Sequence, residues 1–208
     1  MIRLDGVGRR FGKREVFRSV SLSALPGEVI AFTGANGSGK STLLRIIAGL
    51  LPPTSGACRF TIHAADVPAI QRRRHLGYVA PDYSLYRDLT GTENIRLFAD
   101  LRGRPLNRDE IRELLLRTGL RGRGRDMVAT YSSGMRQRLK YACALAVDPA
   151  VLLLDEPGAN LDTAGSEMVR TMIEAHRSRV GGGITLLATN EHSEVEWADR
   201  AIALTQAV

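Results

Sequence analysis

The stretch Gly34-Ala35-Asn36-Gly37-Ser38-Gly39-Lys40-Ser41 constrains this chain more than any other. It matches the P-loop pattern G-x-x-x-x-G-K-[ST]. The segment before it, Glu28–Thr33, reads as a strand, and the apolar segment after it, up to Leu50, reads as a helix that Pro52-Pro53 stops. A strand–loop–helix unit of this kind aims backbone N–H groups and a helix N-terminus at one point, which favours an anion. Gly37 and Gly39 allow the backbone to approach closely. Lys40 is then placed for β- and γ-phosphates, the Ser41 hydroxyl for Mg²⁺, and Thr42 for the α-phosphate, with Asn36 in the same loop.

Around this unit, strands and helices alternate. Ile2–Leu4 and Val16–Leu25 read as strands, as does Cys58–Ile62. Between positions 92 and 119 the apolar residues fall at helical spacing, with Gly103 and Pro105 separating two helices. Arg121–Arg125 reads as a loop, and Ser132 or Ser133 caps a helix to about Ala146. Val151–Leu154 and Ile184–Ala188 are continuous apolar runs, the pattern of strands buried on both faces. Thr163–Arg179 and a short segment near Glu194–Ala198 are expected to be helical, and Arg200–Leu204 a last strand. The order predicts an α/β fold with a mainly parallel sheet.

The run Val151-Leu152-Leu153-Leu154 ends in Asp155 and Glu156. A strand ending in two acids beside a P-loop places one to hold Mg²⁺ (Asp155) and one to take a proton from water (Glu156). Further along, Tyr131-Ser132-Ser133-Gly134-Met135-Arg136-Gln137-Arg138 begins a second serine-capped helix, again a geometry that suits an anion.

Composition narrows the partners. No apolar run approaches the roughly 18 residues of a membrane span. Met1 to Phe17 alternates charges with single apolar residues, unlike a secretory signal, so a cytosolic location is expected. Cys58 and Cys143 form no CxxC pair and are expected as reduced thiols. The net charge is +7, and lysine occurs only at positions 13, 40 and 140, so arginine supplies nearly all the basic residues. The clusters Arg72–Arg74, Arg102 with Arg104, and Arg121, Arg123, Arg125 lack interleaved aromatics, so they are expected as solvated surface rather than as a nucleic-acid site.

The P-loop, the acidic strand end and the Tyr131–Arg138 segment together resemble the ATP-binding cassette (ABC) ATPases. That third segment is a variant of their Leu-Ser-Gly-Gly-Gln signature, keeping Ser132 and Gly134. The resemblance covers essentially the whole chain. It implies a P-loop NTPase (RecA-like) core with a small antiparallel β portion, and a single domain over 1–208 with a helical lobe inserted at 82–135. It implies ATP and Mg²⁺ as ligands, and a dimer in which Ser132 and Gly134 of one copy face the γ-phosphate held by the other. Ala159-Asn160-Leu161-Asp162 takes the D-loop position, Phe11 the place of the adenine-stacking aromatic, and Pro81 to Asp100 the permease-facing surface. A transmembrane permease subunit would then hold the chain at the inner face of the membrane. Two positions depart from the family pattern. Pro81 stands where a glutamine is usual, with Asp82 able to serve only if the loop shifts by one residue. Asn190 stands where a γ-phosphate histidine is usual, with His192 nearby. The short length and lack of a C-terminal extension are similar to the small haem-exporter cassettes of cytochrome c maturation. Rival expectations are a soluble non-transport ABC ATPase, and an ATP-gated dimerisation module with little hydrolysis.

Overall fold

The computed structural model describes residues 1–205. The apolar runs form the centre. Strands β3 (Val29–Thr33), β7 (Val151–Asp155) and β8 (Ile184–Ala188) lie side by side, with β6 (Leu76–Val79) and β9 (Arg200–Ala203) at the edges, in the order β6-β7-β8-β3-β9. Every pairing within this sheet is parallel. Residues alternate between its faces at the strand period of two. Ile30, Phe32, Leu153 and Leu186 enter one core, while Val29, Ala31, Leu152, Leu154 and Leu187 enter another. Both faces are dry, so the runs carry no polar alternation.

The first face holds α1 (Lys40–Ile47), whose Leu43, Leu44, Ile46 and Ile47 are buried. An antiparallel sheet covers the other side of α1. It is built from β1 (Ile2–Phe11), β2 (Arg14–Ala24), β4 (Ser55–Ile62) and β5 (Ala65–Asp66), in the order β2-β1-β4-β5. Helix α1 is thus sandwiched between two sheets and is held rigidly. Its C-terminal carbonyls receive a buried cation: Arg72, on the short helix α2 (Ala69–Arg72), donates to Ile46 O and Ile47 O at 3.4 and 3.1 Å, and to Cys58 O at 2.7 Å. Arg72 is 6% exposed, which corrects the expectation of solvated surface for that residue, while Arg73 and Arg74 are exposed as expected. A cation at a helix C-terminus is favoured by the helix dipole, and the guanidinium has enough donors to satisfy several carbonyls at once. Arg102 and Arg104, both half-buried, donate to Leu76 O and Ala146 O.

The second face is covered by α5 (Ser133–Leu145) and α6 (Thr163–Arg177), through Tyr141, Ala144, Val169, Met172 and Ile173. A separate apolar cluster joins α3 (Gly91–Asp100), α4 (Arg108–Arg117) and α5, with Ile95, Ile111, Leu115, Tyr131 and Leu139 among its members. Full capping boxes start α3 at Thr90 and α4 at Asn107. Among the described residues, no helix is long and apolar enough to cross a membrane.

His176 closes α6 against the sheet, with Nδ1 3.1 Å from Thr185 Oγ1 and Nε2 3.0 Å from Pro149 O. Burial, aided by nearby Arg179, pushes its pKa down to about 4, against the opposing hydrogen bond to Pro149. The folded state therefore holds this ring neutral while the unfolded chain takes up a proton below about pH 6.5. Stability from this residue is fully present above that pH, and up to about 3 kcal/mol is lost as pH falls toward 4. Urea midpoints at pH 7.5 and 4.5 check this. The wild type is expected to lose more than His176→Gln over that interval, and equal losses would contradict it.

Candidate functional site

The P-loop of this structure forms a cleft at the C-terminal ends of β3 and β7. Gly39 caps α1 with φ +101°, a left-handed conformation that suits glycine. A Cβ there would sit 2.6 Å from both Phe17 Cδ1 and Val16 Cγ1, so close packing independently requires glycine. The first N–H groups of a helix have no partner within it, and α1 begins at Lys40, so they face the cleft mouth. Lys40 Nζ donates to Gly34 O (2.7 Å) and Ala35 O (3.2 Å), and burial lowers its pKa against the attraction of Glu156 and Asp155.

Asn36, Gly37, Gly39, Lys40, Ser41, Thr42, Phe11 and Glu156 all line this cleft, with a volume of about 460 Å³. Phe11 is 49% exposed, so it is no core residue, and the Arg9 guanidinium lies 4.3 Å from its ring centre. Ser41 Oγ donates to Asp155 Oδ1 at 2.9 Å, across 114 positions of sequence. Burial pushes the Asp155 carboxyl above the usual carboxylate range, opposed by that hydrogen bond. A hydroxyl and a carboxylate oxygen are hard donors of the kind Mg²⁺ takes, and Mg²⁺ relies on one or two protein ligands plus substrate phosphates. The pair fits that ion.

Glu156 is exposed and its backbone is left-handed, with φ +53°. Non-glycine residues in that region are strained and persist only where neighbours fix them. Here the Glu156 N–H donates to Ala188 O at 2.8 Å, and the Tyr141 hydroxyl donates to the next carbonyl, Pro157 O, at 2.6 Å. Glu156 and Asn36 also line a second cleft of about 790 Å³, shared with Asp162, Thr189 and Asn190. Asn190 Nδ2 donates to Asn36 Oδ1, so the loop after β8 touches the P-loop directly. Asp162 caps α6 through Gly165 N (2.8 Å) and pairs with Arg138 (3.0 Å). The first of these hydrogen bonds is the main cause of its lowered pKa.

Ser132 and Gly134 do not line the P-loop cleft. Ser132 is exposed and caps α5, accepting from Met135 N at 3.1 Å. Gly134 lies against the loop after β7, where a Cβ would sit 3.2 Å from Asn160 O. The remaining two substitutes are also placed. The Asp82 carboxylate is taken by Arg45 of α1 at 2.7 Å, while Lys140 donates to Ala80 O (2.9 Å) and Pro81 O (3.0 Å). The His192 side chain is 92% exposed and 3.8 Å from Glu196, a surface residue. Sequence reading missed Glu194, Tyr141 and Arg45, since their contacts are long-range and no local period marks them.

The sequence matches the family described as ABC transporter over residues 17–159. The chain belongs to that family. Among curated ABC relatives, a sulfate/thiosulfate import ATP-binding protein of Rhizobium meliloti, CysA 1, is 37% identical over 99% of this chain and 60% of its own length. A daunorubicin resistance ATP-binding protein of Streptomyces coeruleorubidus, DrrA3, is 36% identical over 93% of this chain and 61% of its own. The chain thus spans about three-fifths of these relatives. Among solved structures, the ABC cassette MJ0796, in a dimeric post-hydrolysis state bound to ADP and Pi, superposes with a TM-score of 0.85 at 26% identity, covering 99% of this chain and 94% of that one. Neither relative is of the haem-exporter type, and that finer expectation finds no support in them. It rested on short length and the lack of a C-terminal extension, neither of which reports what a transporter carries.

Proposed function

We propose that this ABC cassette binds and hydrolyses Mg-ATP, and that its closure on a second copy drives a separate transmembrane permease at the inner face of the membrane. The observation that carries the reading is the convergence of Lys40, Ser41 and Glu156 on one cleft, with the buried Asp155 joined to Ser41 behind it. Lys40 would exchange its Gly34 and Ala35 carbonyls for β- and γ-phosphate oxygens. Asn36, Gly37, Gly39 and Thr42 would line the phosphate chain, and Phe11 would stack on the base. Ser41 and Asp155 would hold Mg²⁺, which when bound supplies charge neutralisation at the phosphates. Glu156 would take a proton from the attacking water as its oxygen bonds to the γ-phosphorus and the bond to the bridging oxygen breaks. Positioning and charge stabilisation carry most of such a transfer.

Ser132 and Gly134 would complete the cleft of the opposite copy, which accounts for the exposure of Ser132 and for the placement of both away from their own P-loop. Asp162 would report across the same interface. The lobe over 82–135, with the surface from Pro81 to Asp100, would meet the permease. The relatives are named for different tasks, sulfate/thiosulfate import and daunorubicin resistance, and the permease rather than this chain would select the cargo.

A second reading, an ATP-gated dimer with little turnover, is favoured by Pro81, by the engagement of Asp82 with Arg45, and by Asn190. Phosphate release by the purified chain separates the two. Turnover with Mg-ATP that EDTA abolishes is expected. ATP binding without turnover, even with its permease supplied, would replace the first reading by the second.

A further inference from the structure

We propose that Glu194 is a positioning residue for Glu156, its buried carboxylate bolting the loop after β7 to the loop after β8. The inference rests on the reading of Glu156 as the base. Glu194 lies in α7 (His192–Val195) and is 5% exposed. One oxygen, Oε1, accepts from Gly158 N at 2.7 Å, two residues past Glu156. The other, Oε2, accepts from the Thr189 hydroxyl, one residue before Asn190. That hydroxyl oxygen in turn accepts from Glu191 N at 2.9 Å. A single side chain therefore holds both loops that flank the cleft.

Two features argue that this contact serves geometry. First, among the described residues no ion pair involves Glu194, whose donors are a backbone amide and a hydroxyl. A buried carboxylate without a cation costs stability relative to an apolar side chain. Second, Gly158 makes room for it: a Cβ there would lie 2.3 Å from Glu194 Oε1. The strained backbone of Glu156 needs fixing from several sides, and Glu194 provides the anchor downstream of Tyr141 and Pro157. Loss of that anchor lets the base drift relative to the P-loop, whose Lys40 and Ser41 contacts do not pass through Glu194.

Steady-state hydrolysis by the full chain tests this with Glu194→Ala, Glu194→Gln and Gly158→Ala. Glu194→Ala is expected to lower kcat about 10- to 100-fold with KM for ATP changed less than about twofold, since an error of about 1 Å in placement costs that much. Glu194→Gln keeps an acceptor for Gly158 N and is expected to recover most of the rate. Gly158→Ala displaces the carboxylate while leaving it in the chain, and is expected to reproduce the selective kcat loss should Glu194→Ala fail to fold. Unchanged kcat in folded Gly158→Ala, or a loss confined to KM, would overturn the proposal. In either case wild-type turnover that Glu156→Gln abolishes keeps the parent reading intact. A wild type without turnover would overturn both.

Discussion

Glu156→Gln is expected to cut ATP turnover by about 100- to 1,000-fold while leaving nucleotide affinity nearly unchanged, the loss typical of a removed general base. Glutamine has the size of glutamate and the same backbone preferences, so the left-handed turn at this position and the hydrogen bond from its N–H to Ala188 O survive. What disappears is the ability to accept a proton from water. The P-loop is untouched, and Lys40 and the Ser41–Asp155 pair remain for the phosphates. Phosphate-release kinetics beside equilibrium nucleotide binding checks the split. Turnover within about threefold of wild type would mean that another group takes the proton.

Gly39→Ala is expected to have the other large effect, and on binding rather than chemistry. Its φ of +101° costs an L-residue about 1–3 kcal/mol. The added methyl also meets Phe17 and Val16 at 2.6 Å, in the core that anchors α1, and overpacking of that kind costs about 1–3 kcal/mol more. Relief requires moving the N-terminus of α1, and with it Lys40 and Ser41. ATP affinity is therefore expected to fall at least about 100-fold, the equivalent of at least about 2.8 kcal/mol. Gly103→Ala is the control, since φ there is +76° but nothing lies within 4 Å of the new Cβ. It shares the backbone strain and is expected to bind ATP normally. If both variants bind alike, shape at Gly39 does not set the loop.

Much of this architecture was legible because its cues are local. Val29–Thr33, Val151–Asp155 and Ile184–Ala188 are dry on both faces, so their apolar runs announce buried parallel strands. The P-loop cleft followed from spacing, since one turn fixes Gly37, Gly39, Lys40 and Ser41 together. Illegible parts depend on distant partners. Strand β1 runs to Phe11, well past the Ile2–Leu4 expected, because shifts in its register beside Gly6 and Gly8 break the alternation that marks a strand. Arg72 looked like surface because three adjacent arginines carry no sign that one of them meets the end of α1. The short helix expected near Glu194–Ala198 instead spans His192–Val195, which turns Glu194 inward, a placement decided by Gly158 and Thr189.

The central claim is that one chain holds half of each ATP site, with Ser132 and Gly134 supplied by a second copy. Light scattering on Glu156→Gln, with and without Mg-ATP, tests it most directly. The account predicts a mass near that of one 22.7 kDa chain without nucleotide. With Mg-ATP the mass should double, and changing Ser132 to a bulky residue should reverse the doubling without impairing ATP binding. Glu156→Gln that binds ATP fully yet keeps the mass of a single chain, or a bulky Ser132 change that leaves the doubling intact, would contradict it.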